Sequence, residues 1–474
     1  MRFAAGFPGI AGLLLGFSAL CGPVSAAAQT PFSDIVVTAA PVYEPLAALR
    51  GQERFPKGAQ LLLVHQGKPE PLVAGFAATA DANVSIDGRS VLFAGKQAAN
   101  DPWQIWELTF ADHSLRRLIA SSADAIRPFY LPAGRLVYAQ RTASGFQVVA
   151  AGKSATSALA AIDAAAGATV LPLTYVQGSA IPADVLLDGR ILFESNFPLG
   201  SEAGNHLTPE MFLVYSDGSG VESYRCDHGA PRWGGHQLAS GDVVFTHGAS
   251  LARFTSPLAH EAPVAAPHGE FGGAIAETAG GDWLVSARAG AGTHYALKVW
   301  KPGTAAMQTV LAQAGLDLVE PVVVAPRTRP HQHPTALHDW SYANMMALDA
   351  RLSRAGDLKV LPASVRLETL DAQGHAVVTG TAPVEPDGSF FVKTPADKPI
   401  RFSLLDQKGA VVRQEHGWFW IRRGEQRICV GCHTGPERGS ENQVPAVLLR
   451  TTTPADLTGV NPVSSAPNKA AGGN

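Results

Sequence analysis

Asp87-Gly88-Arg89-Ser90-Val91-Leu92-Phe93 carries the pattern that decides the fold of most of this chain. A glycine free to take positive φ makes a tight turn, and the apolar run behind it ends in an aromatic, as a buried strand does. Loose copies follow at Ala133-Gly134-Arg135-Leu136-Val137-Tyr138, Asp188-Gly189-Arg190-Ile191-Leu192-Phe193, Ser240-Gly241-Asp242-Val243-Val244-Phe245 and Gly280-Gly281-Asp282-Trp283-Leu284-Val285. They recur at intervals of about 40 to 55 residues, the length of a four-stranded propeller blade. Second strands follow at similar offsets, as in Gln104-Ile105-Trp106-Glu107-Leu108 and Met211-Phe212-Leu213-Val214-Tyr215. One such hairpin cannot bury both faces alone. With Gln60-Leu61-Leu62-Leu63-Val64 and Val322-Val323-Val324 added, the copies predict an all-β chain whose residues 40–328 form a β-propeller of about six blades, closed by pairing its first and last segments. A stacked array of β-sandwiches shares this periodicity and is the alternative.

The rest of the composition narrows the setting. Of 474 residues, 46% are hydrophobic and 16% charged, with a formal net charge of -3, so there is no basic stripe for nucleic acid and no polybasic membrane patch. The start reads as a secretory signal peptide, 1–28: Arg2, an apolar run through Leu13-Leu14-Leu15-Gly16-Phe17, then small residues from Val24 to Ala28. Leu20 stands where a lipoprotein site at Cys21 would want a small residue. No later stretch reaches the ~20 apolar residues of a membrane span. The expectation is a periplasmic or secreted protein. Its remaining cysteines, Cys226, Cys429 and Cys432, are odd in number and so cannot form a simple disulfide framework.

Cys429-Val430-Gly431-Cys432-His433 is a C-x-x-C-H sequence, the attachment signature of c-type haem. On one helical turn both sulfurs reach the vinyl groups of a single porphyrin, and His433 follows as the axial ligand of its iron. One covalent haem c is therefore expected. The approach, His416-Gly417-Trp418-Phe419-Trp420-Ile421-Arg422-Arg423-Gly424-Glu425-Gln426-Arg427-Ile428, offers three aromatics that suit either a porphyrin or a β core. It also offers Arg422, Arg423 and Arg427 as forked partners for haem propionates.

Residues 355–415 carry short alternating strands, such as Val365-Arg366-Leu367-Glu368-Thr369-Leu370 and Ser389-Phe390-Phe391-Val392-Lys393, parted by Asp-Gly and Lys-Gly turns. They predict a small antiparallel β-sandwich. Residues 329–354 read as a Pro-rich linker, 416–450 as the haem segment, and 451–474 as a disordered tail rich in Pro, Ser, Ala and Gly.

Two further concentrations of metal-binding side chains stand out. Cys226 and His228 lie in a loop-like stretch near His236, with ligand types suited to zinc or another transition metal, or to a buried thiol beside surface histidines. His331 and His333, two apart in an extended Pro-flanked segment, project to one side and could address one metal, or be polar linker residues. Neither Met nor His follows His433, so a sixth iron ligand must come from upstream: Met345, Met346, His331, His333, His338, His416 or His228. Glu437 would share a face with His433 only if a helix ran through Pro436.

The propeller turns resemble those of TolB-like, WD-type propellers. The linked pattern of propeller, Pro386-Asp387-Gly388-Ser389-Phe390, Pro395-Ala396-Asp397-Lys398-Pro399, Leu405-Asp406 with Gly409, Arg423-Gly424-Glu425 and Cys429-Val430-Gly431-Cys432-His433 resembles the hydrazine synthase alpha-subunit group of exported propeller cytochromes. That resemblance implies a middle domain with covalent haem c at Cys429 and Cys432 and His433 on the iron. Family members with hydrazine synthase activity work in a multisubunit enzyme and have a further haem domain, whereas one C-x-x-C-H is present here, so hydrazine synthesis is not carried over.

The expected function is an exported monohaem cytochrome-like protein engaged in electron transfer or small-molecule redox chemistry, with a periplasmic redox protein or another subunit as partner. One alternative is a non-catalytic propeller scaffold with a structural or sensory haem. Another is zinc binding or a disulfide at the cysteine pair.

Overall fold

The computed structural model describes residues 33–152, 169–176, 178–196, 208–225, 231–256, 260–353, 356–415, 417–431 and 444–459. The expected signal peptide, Cys226, His228, His416, Cys432, His433, Glu437 and the tail beyond 459 lie outside them.

Among the described residues, five four-stranded sheets and one five-stranded sheet form the propeller. The first blade orders Ala78–Val84, Ser90–Lys96, Gln104–Thr109 and Leu115–Ile119; the next four repeat this meander over 125–172, 180–223, 232–263 and 270–311. In the sixth, Asp317–Val323 pairs with Ile35–Ala40, which pairs in turn with Gln60–His65. The two ends of the propeller chain thus share one sheet, so no inner edge is left open. The apolar runs read from sequence pack between blades, with Phe93, Phe193 and Phe245 fully buried.

The repeated turns also fix where the chain goes next. At Gly189 φ is 88°, and a Cβ there would lie 2.2 Å from the carbonyl oxygen of His331. At Gly88 it would lie 2.7 Å from Pro326 N. The segment leaving the closing strand therefore crosses the blade turns at contact distance, held by Arg327 N–H to Ile86 O (3.0 Å) and His331 N–H to Leu187 O (2.8 Å).

Behind the propeller two four-stranded sheets face each other. One orders Ala376–Pro383, Ser364–Leu370, Ile400–Leu405 and Val411–Gln414, all antiparallel. The other orders Gln426–Cys429, Ala343–Ala347, Phe390–Thr394 and Ala455–Asp456, with the two outer strands parallel to their neighbours. The span 329–354 thus does more than link, the haem segment contributes a strand, and part of 451–459 is paired rather than loose. Ala343, Met345 and Ala347 alternate into the sandwich core beside Phe390, Val392, Leu367 and Phe402, which is what holds so weak a strand former in place.

Candidate functional site

Cys429 is the last residue of an edge strand, Gln426–Cys429. It lies opposite Ala347, and its carbonyl accepts Leu348 N–H at 2.9 Å. The next carbonyl, Val430 O, accepts Asp349 N–H at 3.0 Å. Backbone bonding therefore pins the motif through Val430. Opposed residues in a paired strand share a face, so the Cys429 thiol sits with Ala347 against the sandwich core, partly buried. Burial pushes that thiol above its ordinary value, with Arg427 opposing the shift. Ile428 points the other way and is 63% exposed, in register with Met346 and, one strand on, Phe391.

The approach to Cys429 is clamped onto the propeller. Trp420 is buried at 3% exposure among Val137, Phe193, Val214 and Val221 of the second and third blades. Its ring lies 6.2 Å from that of Tyr175 and 6.4 Å from that of Phe193. Phe419 turns instead to the sandwich, packing on Phe402, while its backbone exchanges hydrogen bonds with Ile400 at 2.7 and 3.0 Å. The aromatic run is thus split between the two cores.

The arginines follow the same logic. Arg422 pairs with Asp397 at 2.6 Å and donates to the Tyr175 hydroxyl at 2.7 Å and to Asp217 O at 3.1 Å. Burial pushes the Tyr175 hydroxyl up to about 12. Arg427 donates to Val221 O at 2.5 Å and pairs with Glu425 at 3.4 Å. Glu425 in turn accepts Gly220 N–H at 3.2 Å and Arg422 N–H at 2.8 Å. Arg423 is exposed and donates to Trp340 O at 3.0 Å. Arg422 and Arg427 hold one domain to the other, so their guanidiniums do not fit propionate binding. The Cys429 thiol is free at the end of the edge strand, while Cys432 and His433 lie outside the described residues.

The other expected ligands scatter. His333 lies tilted against Tyr215 with ring centroids 4.2 Å apart. His338 stacks on Trp340 at 4.2 Å, receives a contact from Gln426 Nε2 at 3.1 Å, and its N–H bonds Gly424 O. These two converge with residues 422–427 around the third-blade hairpin 215–221. His331 is tied elsewhere, to the Asp188-Gly189 turn. Met345 is 6% exposed in the sandwich core, while Met346 lies on the outward face beside Ile428. Among the described residues no three His, Cys, Asp or Glu side chains are grouped to hold a metal ion.

One polar group went unread in the sequence. Arg54, Asp81, Arg127 and Glu320 meet at the axis of the propeller. Each of the last three stands alone in an apolar run: Ala80-Asp81-Ala82, Ile126-Arg127-Pro128, Val319-Glu320-Pro321. A single charge inside an inner-strand run, twice followed by proline, was the available signal.

Residues 355–434 match the family described as hydrazine synthase alpha subunit middle domain. The chain is hydrazine synthase alpha-like. A stretch of 62 residues is 39% identical to hydrazine synthase subunit alpha of Kuenenia stuttgartiensis, which is 13% of this chain and 8% of that relative. The solved Kuenenia stuttgartiensis hydrazine synthase has the same fold over 89% of this chain and 72% of its own, with a TM-score of 0.77 at 17% identity. TolB from Acinetobacter baumannii aligns over 61% of this chain and 66% of its own, with a TM-score of 0.44 at 13% identity. The matched span therefore contains the sandwich strands from Ser364–Leu370 to Gln426–Cys429, the residues 420–427 that meet the propeller, and the C-x-x-C-H sequence. No helix among the described residues is long and apolar enough to cross a membrane.

Proposed function

We propose that this protein is an exported redox protein carrying one covalent haem c at Cys429 and Cys432, with His433 on the iron. The observation that carries the reading is Cys429: a free thiol at the end of an edge strand, inside a hydrazine synthase alpha-like middle domain, directly before the rest of a C-x-x-C-H sequence. When bound, such a group supplies one-electron chemistry or, with an open iron position, small-molecule binding. The chain's own contribution is rigidity. Trp420, Arg422, Glu425 and Arg427 fix the strand against the third blade, and the propeller serves as the platform that sets where the motif faces.

Burial of Met345 in the sandwich core removes its thioether from the distal candidates. Of the remaining candidates, Met346 lies opposite Ile428 of the strand that ends in Cys429, His338 meets Gln426 of the same strand, and His333 packs on Tyr215 of the third-blade hairpin. The Kuenenia relative is named as a subunit, and we extend that to a role for this chain within a larger redox assembly in the periplasm or outside the cell.

A haem-stained denaturing gel of protein made in a strain competent for cytochrome c maturation tests the attachment, and haem signal co-migrating with the polypeptide is expected. A polypeptide without haem signal would overturn the reading in favour of zinc or a disulfide. The reduced spectrum with and without carbon monoxide then separates the two haem chemistries, since rapid binding marks an open iron.

A further inference from the structure

The inner strands of the propeller share an irregularity that the blade repeat alone does not require. Pairing slips by a bulge between Ala80 and Asn83, between Ile126 and Phe129, between Trp233 and His236, and opposite Val36 and Thr38 in the closing blade. At the bulge φ is positive: 62° at Asp81, 54° at Arg127, 67° at Gly234 and 55° at Glu320. Gly273 (φ 81°) takes the same role where the fifth inner strand is interrupted. Glycine accepts this backbone freely, whereas Asp, Arg and Glu hold it against their own preference. The charged residues are thus the ones placed against local preference.

All three meet at the propeller axis. Glu320 Oε1 accepts from Arg54, from Arg127 at 2.8 Å and from the Tyr43 hydroxyl at 3.1 Å. Asp81 accepts from Arg54 at 2.5 Å and from Arg127 N–H at 3.0 Å. On one side of this set the free space is only roughly 10 Å³, enough for a water at most. On the other side lies a cavity of roughly 120 Å³, lined by Asn83, Asp184, His236, Glu320 and Arg327 among others. That approaches the size of cavities that accept a benzene-sized molecule, so it suits a ligand of about five or six heavy atoms.

Two residues of the lining each carry a buried polar atom without a partner among the described residues. Glu320, 7% exposed, uses Oε1 three times, yet its Oε2 has no partner among the described residues. Arg327 enters from the segment crossing this end of the propeller, and its Nη2 is likewise buried without a partner. Burial lowers the Arg327 guanidinium's affinity for its proton despite Asp184 nearby. Leaving such groups unmatched is unfavourable. A ligand of one charge sign would satisfy one atom and oppose the other.

The geometry points to a binding site in the propeller channel for a small zwitterion, its carboxylate held by Arg327 and its ammonium by Glu320 Oε2. The site lies on the propeller axis and its occupancy does not depend on the motif at Cys429. Glycine and β-alanine have the right size and carry both charges, while acetate and methylammonium each carry half of the pattern.

Calorimetric titration of the full chain with these four compounds tests the assignment. Glycine or β-alanine is expected to bind at least tenfold more tightly than acetate or methylammonium and to raise the melting temperature. Arg327→Met, whose side chain gives up no hydrogen bond shown among the described residues, is expected to fold and to weaken zwitterion binding at least tenfold, whereas exposed Arg329→Met leaves it unchanged. If Arg327→Met does not fold, Arg327→Lys keeps the charge but loses the fork and is expected to weaken binding severalfold. The assignment is overturned if no zwitterion binds at about 10 mM, if the half-compounds bind equally well, or if the Arg327 variant that folds binds as the parent does.

Discussion

Arg427 donates to the carbonyl of Val221 at 2.5 Å, across 206 positions of sequence, and so ties the strand ending in Cys429 to the third propeller blade. Arg427 stands two positions before the first motif cysteine. The orientation of the motif is therefore set by the propeller as much as by the sandwich that carries it.

Arg427→Met keeps most of the side chain's bulk but leaves Val221 O and Glu425 without that donor. A loss of about 1.5–3 kcal/mol is expected, the range for hydrogen bonds from charged groups. Amide exchange at Leu348 and Asp349, which bond to the Cys429 and Val430 carbonyls, should accelerate with it. Unchanged exchange there would show that the bond does not hold the strand.

Trp420→Ala empties a site enclosed by two blades and should cost about 3–5 kcal/mol. Denaturant unfolding checks it. A loss below about 1 kcal/mol would mean the interface closes without Trp420.

Acid should act through the channel with opposite signs at two carboxyls. Burial alone would raise Glu320, but Arg54 and Arg127 outweigh it and hold the group below its ordinary value. A carboxyl lowered on folding stabilises above its unfolded value, about 4.3, and that stabilisation is lost as pH falls through the folded value. Glu194 is raised, chiefly by burial, so its ionisation opposes folding at neutral pH and the opposition fades on acidification. Glu320→Gln should therefore lower the melting temperature at pH 7 and flatten its decline in acid. Glu194→Gln, which can still accept Gly234 N–H, should raise it at pH 7. Shifts of the same sign at pH 7 would contradict the assignment.

In haem-free protein with Cys226→Ser and Cys432→Ser, the raised thiol of Cys429 should alkylate slowly at neutral pH. A rate at least about fivefold below that of the denatured chain is expected, because the thiolate is the reactive form. Equal rates would show that burial does not protect it.

Five of the blades were legible because in each a glycine turn that only a few backbone conformations satisfy follows the inner strand, as at Gly88 and Gly189. The strand Ala343–Ala347 was not, since alanine, asparagine and methionine carry little β preference and its pairing partners lie about 50 and 80 positions away. Nor were the roles of Arg422 and Arg427, because a hydrogen bond to a distant carbonyl leaves no trace in local pattern. Asp81, Arg127 and Glu320 were hidden by their bulges, which place a charge inward where strict alternation would not. The C-x-x-C-H sequence is a local chemical signature, and reading it required no fold.

Intact-mass spectrometry of the mature protein from a haem-maturing host tests the central claim most directly. The expected result is a polypeptide heavier by the mass of one haem, with the increment lost in the Cys429→Ser, Cys432→Ser double variant. A parent protein of unmodified mass with its cysteine thiols free to alkylate, or an increment that survives in the double variant, would contradict it.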